Sequence, residues 1–372
     1  MRILSLFDGM ACGMLAFQST GIKVDRYVAF EIDKYAVQTS SHNFPMIEHR
    51  GDVFQADFTE FRGFDFLVGG SPCTYWSIAQ KNNRETEASG MGWELFSQYV
   101  RALHEAQPMY FIYENNKSMA KAIRESITET FGFDAICINS ALLSAQNRNR
   151  LYWVGKRNPD GTYSRVMVEQ PEDLGILLRD VLDCAAINTT ADGDKARTLM
   201  AGYYKYGTAT LLTNPGFTGG TTAVAEPVSF DTSKQHKANR LGGLYGQVTR
   251  WGIYGTDGKA PTLCAAAGMG GGHIPMVTEP VKAVSYADGK TYPVYEVKDG
   301  QITIKGKQYP IKLSDGYYII RKLTVSECKR LQTVPEWYDF PVSDTQAYKM
   351  LGNGWTVEVI AHLIRATQAY AA

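Results

Sequence analysis

Short apolar runs alternating with helical segments fill the first 155 residues, and that alternation limits the fold more than any other feature of this 372-residue chain. Ile3 to Phe7 reads as a buried strand, and Gly13 to Thr20 as a helix that opens after glycines. Tyr27 to Phe30 is a second strand, Asp33 to Ser41 a helix, Phe64 to Val68 a third strand and Trp93 to Ala106 a helix. Met109 to Tyr113 reads as a strand, with Ala135 to Asn139 and Arg150 to Val154 as late ones. Strand and helix repeated in this way predict an α/β domain with a mostly parallel sheet and helices on both faces. Ligands on such sheets bind beyond the carboxyl ends of the strands. Asp8, Glu31, Cys73 and Glu114 each fall at or just after the end of a predicted strand, so the pattern puts all four on one rim.

Near Asn158-Pro159 the texture changes. Residues 166 to 320 are rich in Gly, Thr and Tyr, with turn signals at Asp257-Gly258, Asp288-Gly289, Asp299-Gly300 and Asp315-Gly316 and alternating runs such as Gln301 to Ile304. This predicts a smaller, β-rich second domain. From Thr324 the helical pattern returns: Thr324-Val325-Ser326-Glu327 fits a capping box, and Val357 to Tyr370 reads as a helix with apolar spacing suited to docking on the first domain. Arg321, Thr324 and Arg330 are expected to organise the interface between the domains. The resulting division is 1–165, 166–320 and a returning segment 321–372.

Composition excludes several classes. No segment approaches the roughly 18 unbroken apolar residues of a membrane helix, and the N-terminus enters a strand pattern at once, so a cytoplasmic protein is expected. The six cysteines, Cys12, Cys73, Cys137, Cys184, Cys264 and Cys328, form no CxxC pair, which predicts reduced thiols and no zinc site. The net charge is zero, so a basic surface for nucleic acid must be local.

Cys73 stands in the run Gly69-Gly70-Ser71-Pro72-Cys73. Proline fixes the backbone entering the cysteine, and the glycines admit a close approach by another group. A free cysteine is more often a core residue; what favours a reactive one here is its company. A thiolate adds to electron-poor carbon and needs nearby cations. Arg148 and Arg150, two apart on a predicted strand, would face the same way and stabilise a thiolate or an oxyanion, while Glu114 can donate a proton. A pyrimidine suits this set: sulfur at C6, a carboxyl group at N3, and a C5 made nucleophilic. The loop Phe7-Asp8-Gly9-Met10-Ala11-Cys12-Gly13 before a helix offers a place for the electrophile. Glu31 is placed for ribose hydroxyls, and Asp52, after Gly51, for an adenine amine. The loop lacks GxGxxG, so an adenosyl cofactor fits better than NAD.

These residues carry a resemblance. The chain resembles the DNA (cytosine-5)-methyltransferases over roughly residues 1 to 156 and 319 to 370. Phe7 to Gly13 is similar to the family's cofactor loop, Ser71-Pro72-Cys73 to its nucleophile motif and Glu114-Asn115 to its proton-donor motif. Gln146-Asn147-Arg148-Asn149-Arg150 is similar to its Gln-x-Arg-x-Arg motif, Arg321 to Gln332 to its late structural motif, and Gly352-Asn353-Gly354 to its closing motif. With Gly21 to Tyr27, the first motif is similar to the animal de novo branch; a stand-alone phage or bacterial enzyme is the simpler reading. The resemblance implies a Rossmann-like class I methyltransferase domain with a target recognition domain, S-adenosylmethionine as cofactor and double-stranded DNA as partner. A restriction endonuclease is a further partner it allows, and a monomer is expected. It implies Cys73, Glu114, Arg148 and Arg150 as catalytic residues. Cofactor residues by the same resemblance are Phe7, Asp8, Gly9, Gly13, Glu31, Ile32, Asp52, Val53, Pro72, Asn353 and Gly354. Asn116 stands where many relatives have valine, and Gly354 where serine is common.

Ser71, Trp76, Ser77, Asn115 and Gln146 are expected near the target base, and the polar stretch Gln80 to Gly92 as a lid over it. Lys234, Lys237, Arg240 and Arg250 are candidate phosphate contacts, with a solvated face as the ordinary alternative. The nearest rival reading is the same chemistry on RNA; a non-catalytic DNA-binding partner that keeps the fold is another. No metal ligand set is read.

Overall fold

The computed structural model describes residues 1–77, 84–183, 187–188, 195–196, 198–205, 222–227, 240–243, 252–254, 276–277, 283–285, 291–304, 306–311 and 313–369. The first sheet contains β1 (Arg2–Leu6), β2 (Arg26–Phe30), β3 (Glu48–His49), β4 (Phe66–Gly69), β5 (Tyr110–Asn116), β6 (Ile136–Asn139), β7 (Asn149–Arg157) and β8 (Tyr163–Arg165). Its order is β3-β2-β1-β4-β5-β7-β6, with β8 paired to β7. The pairings from β3 to β5 are parallel. β7 is reversed, running antiparallel to both β5 and β6, so the expected parallel sheet holds with one inverted strand. β5 runs beyond the predicted Tyr113 because the ladder with β7 continues to the pair Asn116 and Arg150.

Successive residues of β1 face opposite ways. Ile3 lies in a core with Phe17 and Ala16 of α1 (Cys12–Ser19), while Leu4 and Leu6 lie in a second core with residues of two further helices. α2 (Lys34–Asn43) is capped by Asp33, whose carboxylate accepts from Tyr35 N. α3 (Gly90–Ala106) and α4 (Lys121–Phe131) supply Phe96, Tyr99, Ile123, Ile127 and Phe131 to the second core. Both sheet faces are therefore covered.

A second sheet is built from β9 (Ile187–Asn188), β10 (Ala223–Pro227) and four later strands, and a third from β11 (Arg240–Gly243), β12 (Gly252–Tyr254) and β13 (Met276–Val277). The later strands are β15 (Thr291–Lys298), β16 (Gln301–Ile304), β17 (Lys307–Pro310) and β18 (Gly316–Lys322), with β14 (Ala283–Ser285) paired to β15. The second sheet has the order β17-β16-β15-β18-β10-β9 and is antiparallel throughout. The turn signal Asp299-Gly300 joins β15 to β16, with φ of 51° and 68°; two residues in the left-handed region match the twist of a tight hairpin. The core of this sheet is small: Ala223, Ala225, Val297, Ile302, Ile304, Leu313 and Tyr318. Val166, Leu178, Val181, Ala196, Leu199 and Tyr203 instead join the core that contains α1.

The last helices are α5 (Val325–Leu331), α6 (Asp344–Asn353) and α7 (Val357–Ala369). The capping box at Thr324 forms: Thr324 Oγ1 accepts from Glu327 N at 3.1 Å, and Glu327 Oε2 accepts from Thr324 N at 2.7 Å. Arg321 donates to Glu226 on β10 and to both oxygens of Glu327, while Arg330 donates to Asp183 and Glu336. α7 packs on α1, and Arg365 donates to Ser19 O at 3.3 Å. Among the described residues no helix is long and apolar enough to cross a membrane.

Candidate active site

Three residues in the left-handed region, Phe7 (φ 58°), Gly9 (φ 59°) and Ala11 (φ 61°), fold the loop between β1 and α1 back across the rim. Asp8 N donates to Phe30 O at 3.2 Å, and Gly9 N to Glu31 Oε2 at 2.8 Å. Glu31 Oε1 accepts from Ile32 N and Asp33 N, each at 2.8 Å. Three backbone donors thus fix the Glu31 carboxylate, while Ile32 beside it stays 77 % exposed. Asp52 caps the short turn Val53–Gln55 by accepting from Phe54 N at 3.0 Å, with Val53 in the core.

Asp8 is buried. Ser5 and Tyr27 donate to its Oδ1 at 2.6 Å each, and Oδ2 has no partner among the described residues. Burial pushes the carboxyl up to about 6 against the pull of those two donors. A Cβ at Gly13 would come within 2.5 Å of the Tyr27 hydroxyl. Gly13, expected at the cofactor, also makes room for the tyrosine that holds Asp8.

At the end of β4 the chain passes close to its neighbours. A Cβ on Gly70 would sit 2.8 Å from Glu114 O and from Glu114 Oε2, so only glycine lets the two segments approach. Ser71 is buried, its hydroxyl 2.7 Å from that of Tyr113. Pro72 is exposed, and Cys73 opens a 3-10 turn, Cys73–Tyr75. Trp76 N and Ser77 N both donate to Cys73 O, at 3.1 and 2.9 Å. Trp76, expected near the base, is fully buried instead: its indole N–H donates to Glu85 Oε2 at 3.0 Å. Glu85 also accepts from Gly92 N at 3.1 Å, the role at the start of α3 that Ser89 leaves vacant. Side chains at Gly90 or Gly92 would collide with Glu85, which accounts for both glycines.

Glu114 lies on β5 facing the reversed strand. Arg150 Nε is 3.0 Å from Glu114 Oε1, and Trp355 Nε1 donates to Glu114 Oε2 at 3.0 Å. Because β7 is antiparallel, its first residues arrive where β4 and β5 end, which brings Arg150 to the carboxylate. Arg148 immediately precedes β7 and, like Arg150, bears on Cys73 through its charge. It is buried, and its guanidinium donates to Leu199 O (3.1 Å), Gly352 O (3.2 Å) and Gly354 O (2.8 Å). Burial lowers its pKa to about 10, which keeps it charged at neutral pH. Burial pushes the Cys73 thiol up; Arg150 pulls it down, Glu114 pushes it up and Arg148 pulls it down. The arginines soften the cost of a thiolate there without removing it.

Asn115 and Gln146, both expected at the substrate, are fully buried. Asn115 Nδ2 donates to Ser71 O at 3.2 Å and to Tyr113 Oη at 3.2 Å. Gln146 donates to Leu331 O and accepts from Leu199 N. Asn353 is exposed, and Gly354 packs beside Cys12. Arg240 lies on β11; Lys234, Lys237, Arg250, Cys184 and Cys264, and residues 80–83 of the expected lid, lie outside the described residues. Sequence reasoning missed Trp355, Glu85, Arg84 and Tyr27: Trp355 meets Glu114 from 241 positions away, and Tyr27, Glu85 and Arg84 meet Asp8 and Trp76 at spacings that no local motif marks; the Trp after Gly352-Asn353-Gly354 was the one available signal.

The family model described as C-5 cytosine-specific DNA methylase matches residues 1–369. Among curated proteins, an orphan methyltransferase of Bacillus phage rho11s, M.Rho11sI, is 34% identical over 169 residues, 42% of this chain and 33% of that protein. The chain thus aligns with about a third of the length of the phage relatives it matches. The type II methyltransferase M.Bsp6I of Bacillus sp. (strain RFL6) is 26% identical, covering 98% of this chain and 97% of its own. Among solved structures, a DNMT2 mutant of Spodoptera frugiperda shares the fold, with a TM-score of 0.55, 14% identity and 98% of each chain covered.

Proposed function

The chain belongs to the C-5 cytosine-specific DNA methylase family, and on that premise we propose that it transfers a methyl group from S-adenosylmethionine to C5 of cytosine within a short sequence of duplex DNA. One observation carries the reading: the Cys73 turn, the Glu114 carboxylate and the Arg150 guanidinium meet at the rim where β4 and β5 end. When bound, S-adenosylmethionine supplies an electrophilic methyl group. The rim residues fit it. Asp8 keeps a buried oxygen, without a partner among the described residues, that suits a cation; space is open where a side chain on Gly9 would stand, and Ile32 leaves an apolar face uncovered beside Glu31. Phe7, Asp52, Val53, Pro72, Asn353 and Gly354 complete the set in this reading.

C6 of cytosine is out of reach within stacked DNA, so the base leaves the helix at a cost of a few kcal/mol. Cys73 then gives up its proton and adds through sulfur to C6. Glu114 serves N3 and N4, and Arg150 holds O2, so negative charge builds at C5. With S-adenosylmethionine bound, C5 would take its methyl group and leave the neutral thioether; the C5 proton then passes to a base or water, and the bond from Cys73 sulfur to C6 breaks to restore the ring. Arg148 acts at one remove, holding the carbonyls of Gly352 and Gly354 next to Trp355. The β-rich sheets supply base contacts from the major groove, starting after residue 205 in this reading, because Val166, Leu178, Val181, Ala196, Leu199 and Tyr203 share the core of the first domain.

The test is isotopic methyl transfer to duplex DNA and to RNA, with bisulfite sequencing of DNA from expressing cells. The expected result is C5 methylation at one short DNA sequence, lost in Cys73→Ser. Label in RNA alone, or normal methylation by Cys73→Ser, overturns the reading.

A further inference from the structure

The turn that carries Cys73 is enclosed by a closed circuit of hydrogen bonds. On its entering side, Ser71 O accepts from Asn115 Nδ2 at 3.2 Å. Asn115 Oδ1 accepts from Asn116 Nδ2 at 3.0 Å, and Asn116 Oδ1 from Ser118 Oγ at 2.6 Å. Ser118 O accepts from Arg84 Nη2 at 2.7 Å. On the leaving side, Arg84 Nε donates to Trp76 O at 3.1 Å, and Trp76 N donates back to Cys73 O. Asn116 is buried, and the valine common at this position in the family it resembles could make neither of its bonds. Arg84 spans two carbonyls with two nitrogens of one planar fork, which a lysine ammonium cannot reproduce.

We infer that Arg84 and Asn116 are positioning residues for Cys73: they close the circuit Ser71–Asn115–Asn116–Ser118–Arg84–Trp76 around its turn, and so set the rate of sulfur addition while leaving the affinities for DNA and cofactor alone. The inference rests on Cys73 being the nucleophile. Small displacements of a reacting group cost large factors in rate, and links of one circuit act together, so their losses do not multiply.

The test uses the full chain with S-adenosylmethionine and a duplex containing 5-fluorocytosine, following Cys73 adduct formation at saturating concentrations beside separately measured dissociation constants. Asn116→Val and Arg84→Lys are each expected to slow adduct formation about tenfold, with both dissociation constants within about twofold of the unaltered protein and the double variant little slower than the slower single. Ser118→Ala, the least disturbing cut, is expected to slow it less and serves if either variant fails to fold. Unchanged adduct rates, multiplying losses, or a loss confined to DNA affinity (the result if Arg84 grips a phosphate) overturn the inference. No adduct in the unaltered protein would instead refute the nucleophile itself.

Discussion

Trp355 donates its indole N–H to Oε2 of Glu114 at 3.0 Å across 241 positions of sequence, while Arg150 occupies Oε1. A hydrogen bond to a charged group is worth about 1.5–3 kcal/mol. Trp355→Phe keeps the ring and removes the donor. It is expected to slow single-turnover methyl transfer at least tenfold, with duplex affinity preserved. An unchanged single-turnover rate would mean that the indole only packs.

The Cys73 thiol lies above the ordinary range because of burial, with Arg150 the strongest opposing influence. Its alkylation by iodoacetamide should therefore be slower at pH 7 than for an exposed cysteine and rise about tenfold per pH unit into the alkaline range. Arg150→Gln should depress the rate further at every pH. Mass spectrometry of the alkylated peptide checks both, and faster alkylation in Arg150→Gln would contradict the assigned sign.

Asp8 carries the clearest link between pH and stability. Its folded pKa, raised by burial to about 6 from 3.8, means the folded chain holds a proton that the unfolded chain has released. That contribution is complete below about pH 4 and is lost as pH rises through 6. Asp8→Asn, which retains an acceptor for Ser5 and Tyr27, should gain stability relative to the native residue between pH 4.5 and 8. The gain should be on the order of 2–3 kcal/mol. Denaturant unfolding of both proteins at the two pH values measures it; an equal difference at both would refute the linkage.

Cys12 and Gly354 form a size-matched pair. A Cβ at Gly354 would stand 3.1 Å from Cys12 Sγ and 3.1 Å from Met350 O. Gly354→Ser should lower the melting temperature, and Cys12→Ala should restore part of it. If Cys12→Ala gives no recovery in calorimetry, the pressure comes from the Met350 carbonyl instead.

Local signals served the sequence reading well. The strand–helix alternation, the cap at Thr324 and the Asp299-Gly300 turn depend on neighbours within a few residues, and each was legible. Strand direction was not, because a buried apolar run reads the same both ways; hence β7 was taken as one more strand, and its inversion stayed hidden. The spacing of Arg148 and Arg150 was legible, but not the carbonyls of Leu199, Gly352 and Gly354 that hold Arg148, because they lie far off in sequence. Trp76 was expected near the target base from its place after Cys73, and no local pattern announced Glu85 as the acceptor for its indole. Of the candidate site, Cys73, Glu114 and Arg150 were legible as motif residues, whereas the indole of Trp355 reaches Glu114 from 241 positions away and the bonds of Arg84 and Asn116 follow no local pattern.

The inverted strand has a mechanical consequence. Were β7 parallel to its neighbours, Arg150, the second residue of the strand, would stand at the far end of the sheet from Glu114. Turning β7 around mounts Arg150 on a rigid rung opposite Asn116, two pairs along from the acid's own strand position. The spacing between guanidinium and carboxylate is then dictated by backbone pairing, and insertions elsewhere in the chain leave it untouched.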